Sequence, residues 1–182
     1  MKPFPYKRIV VIGTTSSGKS TLAKQIGDKF NLQFVELDAL YWEENWTPAP
    51  ILVFFERVED TVEKDNWVIA GNYSSVRHIV WERAEVIVWL DYPFLIVFWR
   101  LIKRIIHRST TKELLWGKNI ERGWVHLKLW SPDSLIYWFF KSYWRRKRET
   151  PLLLEQYPHL ELIHFKHPRE VEEWTQKSDS HF

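Results

Sequence analysis

The chain contains no cysteine among its 182 residues. This excludes a disulfide framework, a thiolate zinc site and a cysteine nucleophile. It is compatible with a cytoplasmic location, which is the expected one. No apolar run is long enough to cross a bilayer: the longest, Val86 to Trp99, is broken by Asp91 and Pro93. Met1 to Arg8 carries two prolines and leads straight into an apolar run, unlike a secretion signal. A soluble protein with no membrane partner is expected. No internal repeat and no low-complexity segment is present, and the length fits one domain. Metal-ligand spacing is also lacking among His78, His107, His126, His159, His164 and His167.

What is present is aromatic and unevenly charged. The chain has 12 tryptophans, most of them suited to core and interface packing. Its net charge is +3, but Ile96 to Arg148 holds 13 lysines and arginines against three acids, Glu113, Glu121 and Asp133. A basic segment set on a mildly acidic remainder implies a polyanionic partner, either nucleotide phosphates or nucleic acid.

Short apolar runs alternate with helical patterns. Ile9–Ile12, Gln33–Leu37, Trp67–Ala70, Glu85–Leu90 and Leu160–Phe165 read as strands. Lys19–Phe30, Ile51–Lys64, Ser75–Arg83, Phe94–Arg108, Asp133–Arg148 and Arg169–Gln176 read as helices, the fifth capped by Asp133 or Ser134. Ala39–Pro50 reads as a loop rich in Trp, Tyr and Pro. Ser109–Pro132 is the least regular stretch, with Gly117 and Gly123 as hinges. The alternation predicts an α/β fold: a five-stranded parallel sheet with helices on both faces.

Residues 13–20 match G-x-x-x-x-G-K-[ST]. Average residue usage produces such a match in roughly one chain in a hundred of this length. Here an apolar strand precedes it and a helix follows, the context that a phosphate-binding loop needs. Gly13 and Gly18 free the backbone to turn, and the amides from Ser16, Ser17 and onward converge on phosphate oxygens at a helix N-terminus. Lys19 supplies a point charge to the β- and γ-phosphates of ATP or GTP. The Ser20 hydroxyl is the expected Mg²⁺ ligand, and Thr21 reaches toward the α-phosphate.

Carboxylates and cations for phosphoryl transfer should sit at the carboxyl ends of the strands. Asp38 follows the second strand, beside Tyr41 as a wall for an acceptor; its alternative reading is a turn-former. Asp91 follows the fourth and could equally cap the next helix. The third strand ends at Ala70, where an acid would be expected, and Asn72 beyond it is either a substrate contact or a turn residue. Arg100 and Arg104, one turn apart, share a helix face. Arg122 lies in the irregular stretch, and Arg145 and Arg146 on the helix after it. Arg77 could bind an acceptor anion. Each arginine taken alone could instead belong to a solvated face.

The phosphate loop, Leu37–Trp42, Trp67–Ser74 and Trp89–Pro93 together resemble the adenylate-kinase-like proteins called DNA topology modulation proteins, over nearly the whole chain. The resemblance implies the nucleoside monophosphate kinase fold with a mobile lid, here at about 109–132. It implies ATP with Mg²⁺, and γ-phosphoryl transfer to a small acceptor. Lys19, Asp38, Arg104 and Arg145 would then be catalytic, with Arg100 on the nucleotide. The family's usual pattern has Asp where this chain has Ala70. Two readings follow: a small-molecule or nucleotide kinase, or a nucleotide-dependent nucleic-acid-binding protein with little turnover.

Overall fold

The computed structural model describes residues 5–111, 113–120 and 134–179. The five apolar runs form strands β1 (Arg8–Gly13), β2 (Gln33–Glu36), β3 (Trp67–Ala70), β4 (Val86–Leu90) and, after a two-stranded hairpin β5 (Leu114–Leu115) and β6 (Asn119–Ile120), β7 (Glu161–Phe165). The main sheet has the order β2-β3-β1-β4-β7 and is parallel throughout. The expected fold class is the one observed.

Strand alternation sorts the core into two layers. Ile9 and Val11 of β1, with Val86 and Val88 of β4, face one layer; Val10, Ile12, Ile87 and Trp89 face the other. The first layer is covered by α1 (Lys19–Phe30), α5 (Phe94–Thr111), the front of α6 (Leu135–Leu154) and α7 (Pro168–Asp179). The second is covered by α3 (Ile51–Val62) and α4 (Arg77–Arg83), with Leu153 and Leu154 from the far end of α6.

Three elements differ from their sequence patterns. β2 stops at Glu36, and residues 37–41 form a short helix, α2 (Leu37–Tyr41), where a strand end and a loop were expected. Leu37 is 2% exposed, so the turn is fixed by burying that side chain. The rest of the expected loop is tied by Ala49 N–H to the Tyr41 carbonyl (2.8 Å) and Glu43 N–H to the Thr47 carbonyl (2.8 Å). Helix α6 runs six residues past Arg148 and through Pro151. Packing of Leu153 and Leu154 on the second layer supports that extension against the local preference of proline. Ser134 caps the helix, its hydroxyl accepting from Tyr137 N–H at 3.4 Å, and Asp133 lies outside the described residues. In the stretch expected to be irregular, α5 continues to Thr111 and the β5–β6 hairpin follows; Arg122 and Gly123 lie outside the described residues.

Phe139 is fully buried where α5 and α6 meet, with ring centroids 5.3 Å from Phe94 and 5.5 Å from Tyr143. Phe139→Ala is expected to cost about 3–5 kcal/mol. A lower urea midpoint with an unchanged slope is the corresponding measurement.

Candidate nucleotide and phosphoryl-transfer site

The carboxyl ends of β1, β2, β3 and β4 bring the site together. Residues 13–18 turn from β1 into α1. Gly13 has φ 156°, and a Cβ there would lie 2.6 Å from Ser17 Oγ and 2.8 Å from the Leu90 carbonyl. Only glycine lets the loop lie this close to β4. Ser16 is held in the left-handed region at φ 64°, a conformation that costs energy for a side chain with a Cβ. The hydroxyls of Thr14, Ser16 and Ser17 are buried without a hydrogen-bond partner. Helix α1 begins at Lys19 with no side chain capping its first amides. Unpartnered hydroxyls and the uncapped, positive end of a helix lie in one turn, which suits an anion; the Ser17 N–H within it donates to the Thr14 carbonyl at 3.2 Å. Ser20 and Thr21 sit in that first turn, half-buried and exposed respectively.

Cations crowd the same turn. Lys19 Nζ donates to the Thr14 carbonyl at 2.8 Å. Arg100 donates to the Ser17 carbonyl at 3.1 Å and lies over the Tyr92 ring at 5.4 Å. Arg146 donates to the Gly13 carbonyl at 3.2 Å. Burial, then the charge of Arg146, lowers the Lys19 ammonium to about 7; Arg104 pushes the same way, while Asp38 and Glu36 oppose it. Arg146 is itself lowered, first by burial and then by Arg145.

Arg145 does not reach the loop. Its side chain is exposed and lies 3.8 Å from Glu149, one turn on. Arg146 takes the place expected for it. Helical phase gives the reason: Phe139, Tyr143 and Thr150 are buried, and Arg146 falls on their face while Arg145 is turned away by about 100°. That spacing was visible in the sequence.

Beyond the end of β2, Asp38 lies in the first turn of α2 and accepts a hydrogen bond from the Tyr73 hydroxyl at 2.6 Å. Burial and the Asp38 charge raise the Tyr73 phenol far above its ordinary value, so it stays a donor. The Tyr41 ring packs on Tyr73 (5.0 Å) and on Phe54 (5.1 Å). Gly71 makes this junction possible: at φ 144°, a Cβ there would lie 2.8 Å from Leu37 Cβ. Asn72 Oδ1 is buried without a partner. Arg77 lies over the Trp81 ring at 5.4 Å, and burial lowers its guanidinium. Ala70 is 3% exposed and packs in the first-layer core, so no acid of β3 reaches the loop.

Three features were missed. The carboxylate of Asp91 is paired with Lys147 (3.2 Å) and His164 (3.3 Å), and His164 stacks on Trp89 at 4.2 Å. Glu36 accepts from the Trp116 indole N–H at 2.8 Å. The hairpin carrying Trp116 is fastened to the loop after α2. Asn119 takes Trp46 N–H (2.9 Å) and donates to the Glu43 carbonyl (2.8 Å), and Trp46 Nε1 donates to the Ile120 carbonyl (2.9 Å). Trp46 and Trp116 both have left-handed backbones, at φ 59° and 51°. No simple motif signals this clasp, since its partners are about 75 residues apart.

No group of three or more acidic or histidine side chains able to hold a metal exists among the described residues. A cation here would be shared between protein oxygen and a bound polyphosphate.

Solved structures share this fold over nearly the whole chain. A gluconokinase from Sinorhizobium meliloti 1021 matches with a TM-score of 0.52 at 16% identity, covering 97% of this chain and 91% of its own. A shikimate kinase from Bacteroides thetaiotaomicron matches with a TM-score of 0.54 at 19% identity, covering 96% of this chain and 97% of its own. These likenesses establish the fold: a five-stranded parallel sheet of the P-loop kinase type. No protein-family model and no curated protein matches the chain. The likeness to DNA topology modulation proteins rests on the sequence motifs alone. Among the described residues, no helix is long and apolar enough to cross a membrane.

The lowered Lys19 gives a measurable linkage. Above pH 7 the free ammonium loses its proton, and a bound polyphosphate restores it toward its ordinary value of 10.5. At pH 8, nucleotide binding is expected to take up close to one proton, and at pH 6 almost none from this group. Calorimetry in buffers of different ionisation enthalpy reads the uptake, which should vanish in Lys19→Met.

Proposed function

We propose that the chain is an ATP-dependent kinase that transfers the γ-phosphoryl group to a hydroxyl of a small acceptor. The observation that carries this reading is the Tyr73–Asp38 hydrogen bond of 2.6 Å, which holds a carboxylate at the strand ends within electrostatic reach of Lys19.

In this reading Gly13 and Gly18 give the loop its shape, and the amides of Ser16, Ser17 and the α1 first turn bind the phosphates of ATP. Lys19 spans the β- and γ-phosphates, and Thr21 borders the α-phosphate. The Ser20 hydroxyl would hold Mg²⁺, which would supply positive charge to the phosphates. Arg100 and Arg104 come from α5 and Arg146 from α6 to meet the charge that develops on the γ-phosphoryl oxygens. The acceptor lies against Tyr41 and Asn72, with Arg77 for an anionic substituent. Asp38 takes the hydroxyl proton as the new O–P bond forms and the β–γ bridge breaks, leaving ADP. The acid that resemblance leads one to expect at Ala70 is replaced by negative charge from β2 and its end, Glu36 and Asp38.

The test is Mg-ATP with a panel of nucleoside monophosphates, nucleosides and small hydroxylated metabolites, beside Lys19→Ala. Acceptor-dependent ADP release that disappears in the variant supports the reading. ADP release at the same rate with and without every acceptor speaks against it.

Three substitutions separate the roles. Asp38→Asn is expected to lower kcat by on the order of a hundredfold to ten-thousandfold, with nucleotide affinity nearly unchanged. Arg146→Met is expected to lower kcat by on the order of a hundredfold, against about threefold or less for Arg145→Met.

A further inference from the structure

The outer faces of α5 and α6 take no part in this site. Leu95, Trp99 and Ile106 of α5 are 67%, 60% and 56% exposed, with half-buried Ile102 between them. Steps of four, three and four residues place all four on one stripe, opposite the buried Val97, Leu101 and Ile105. From α6, Phe140 and Trp144 are 47% and 56% exposed. An aromatic seam joins the two helices: Phe94 stacks on Trp144 at 6.1 Å, and Phe98 meets Phe140 at 5.9 Å. The result is one apolar strip over two helices, along an α5 about 27 Å in length.

On the two helices themselves, the charge before Glu149 has a single sign. Neither α5 nor α6 contains an acidic residue before Glu149. Lys103, Lys141 and Arg148 are exposed along its flanks, while Arg108 and Arg145 are partnered by Glu113 and Glu149.

We propose that this face docks on an anionic lipid surface, with Trp99 and Trp144 seated at the headgroup boundary. A strip of Trp, Phe, Leu and Ile flanked on its own helices by exposed Lys103, Lys141 and Arg148 is the composition of a helix face that lies in a bilayer interface. Trp is favoured at that depth because its ring is apolar and its N–H is not. The helices lie on the membrane and do not span it, consistent with their polarity. The sequence expectation of no membrane partner came from the lack of a span, which concerns crossing a bilayer and not resting on one.

Other occupants fit less well. A second copy of the chain would set Lys103, Lys141 and Arg148 against their own kind. Single-stranded nucleic acid stacks on open aromatic faces. Here Leu95, Ile102 and Ile106 make up much of the strip, and Phe94 covers one face of Trp144.

The full-length protein is incubated with vesicles of phosphatidylcholine alone, and with vesicles that also contain phosphatidylglycerol. Co-sedimentation and tryptophan emission are read at low and high salt. Expected is blue-shifted emission and sedimentation with the anionic vesicles only, weakening as salt rises. Lys103→Gln, Lys141→Gln and Arg148→Gln should each weaken the association roughly fivefold. Trp99→Ser with Trp144→Ser should abolish it while far-UV circular dichroism and nucleotide binding stay as in the parent. Lys19→Ala should sediment like the parent, so the outcome is independent of the kinase reading. The proposal is overturned by equal, salt-insensitive binding to neutral vesicles, or by no binding to either kind. It is also overturned if the double tryptophan variant still sediments, if a single-stranded oligonucleotide is bound more tightly than anionic vesicles, or if light scattering finds a dimer that buries Trp99.

Discussion

Crowding of positive charge around one backbone turn is the constraint on which the rest of this site depends. Lys19, Arg100 and Arg146 come from three helices and share the carbonyls of Thr14, Ser17 and Gly13. Arg104 adds its field to the same place. Carbonyl dipoles are weak counter-charges for three cations in a desolvated pocket, and the depressed ammonium of Lys19 records the mismatch. An anion with several negative oxygens relieves it at one stroke. Burial of the ammonium, and after it repulsion among these side chains, make the turn a favourable place for an anion.

The surroundings of Asp38 follow a different rule. Their members are held by burial and by neutral or single-charge hydrogen bonds: Leu37 beneath Gly71, Tyr73 on Asp38, Tyr41 on Tyr73. The clasp from Trp116 and Asn119 adds two tryptophans in left-handed backbone conformations, each with its indole N–H satisfied. Strain of this kind persists only where the surroundings over-determine it. The wall around Asp38 is thus stiff by construction, whereas the loop is tense by charge.

The sequence carried the sheet and the loop because both depend on local signals. Four or five β-branched and apolar residues in a row bury on both faces of a parallel sheet, and glycine at positions 13 and 18 has a steric cause. Features set by phase or distance were harder to read. A one-residue step around α6 decided between Arg145 and Arg146, and the apolar spacing of Phe139 and Tyr143 that marks the buried face was the signal for it. Proline at 151 hid the last turn of the same helix, since only packing on the second layer carries the chain through it. Glu36 looked like a polar strand residue until a tryptophan 80 positions away was folded against it. The ambiguity at Asp91 was resolved by Lys147 and His164, neither of which its neighbours in sequence could announce.

Helix α6 ties these parts together. Phe139 and Tyr143 belong to one core layer, Leu153 and Leu154 to the other, and Arg146 and Lys147 lie between them on Gly13 and Asp91. The rod therefore has a seat at each end and its working residues in the middle. In inheritance, that makes it indivisible: a recombination joint within residues 135–154 would graft an arginine onto a shaft seated for another chain. Variation in this protein can accumulate on the outside of α6, but its two seats and its centre must change together.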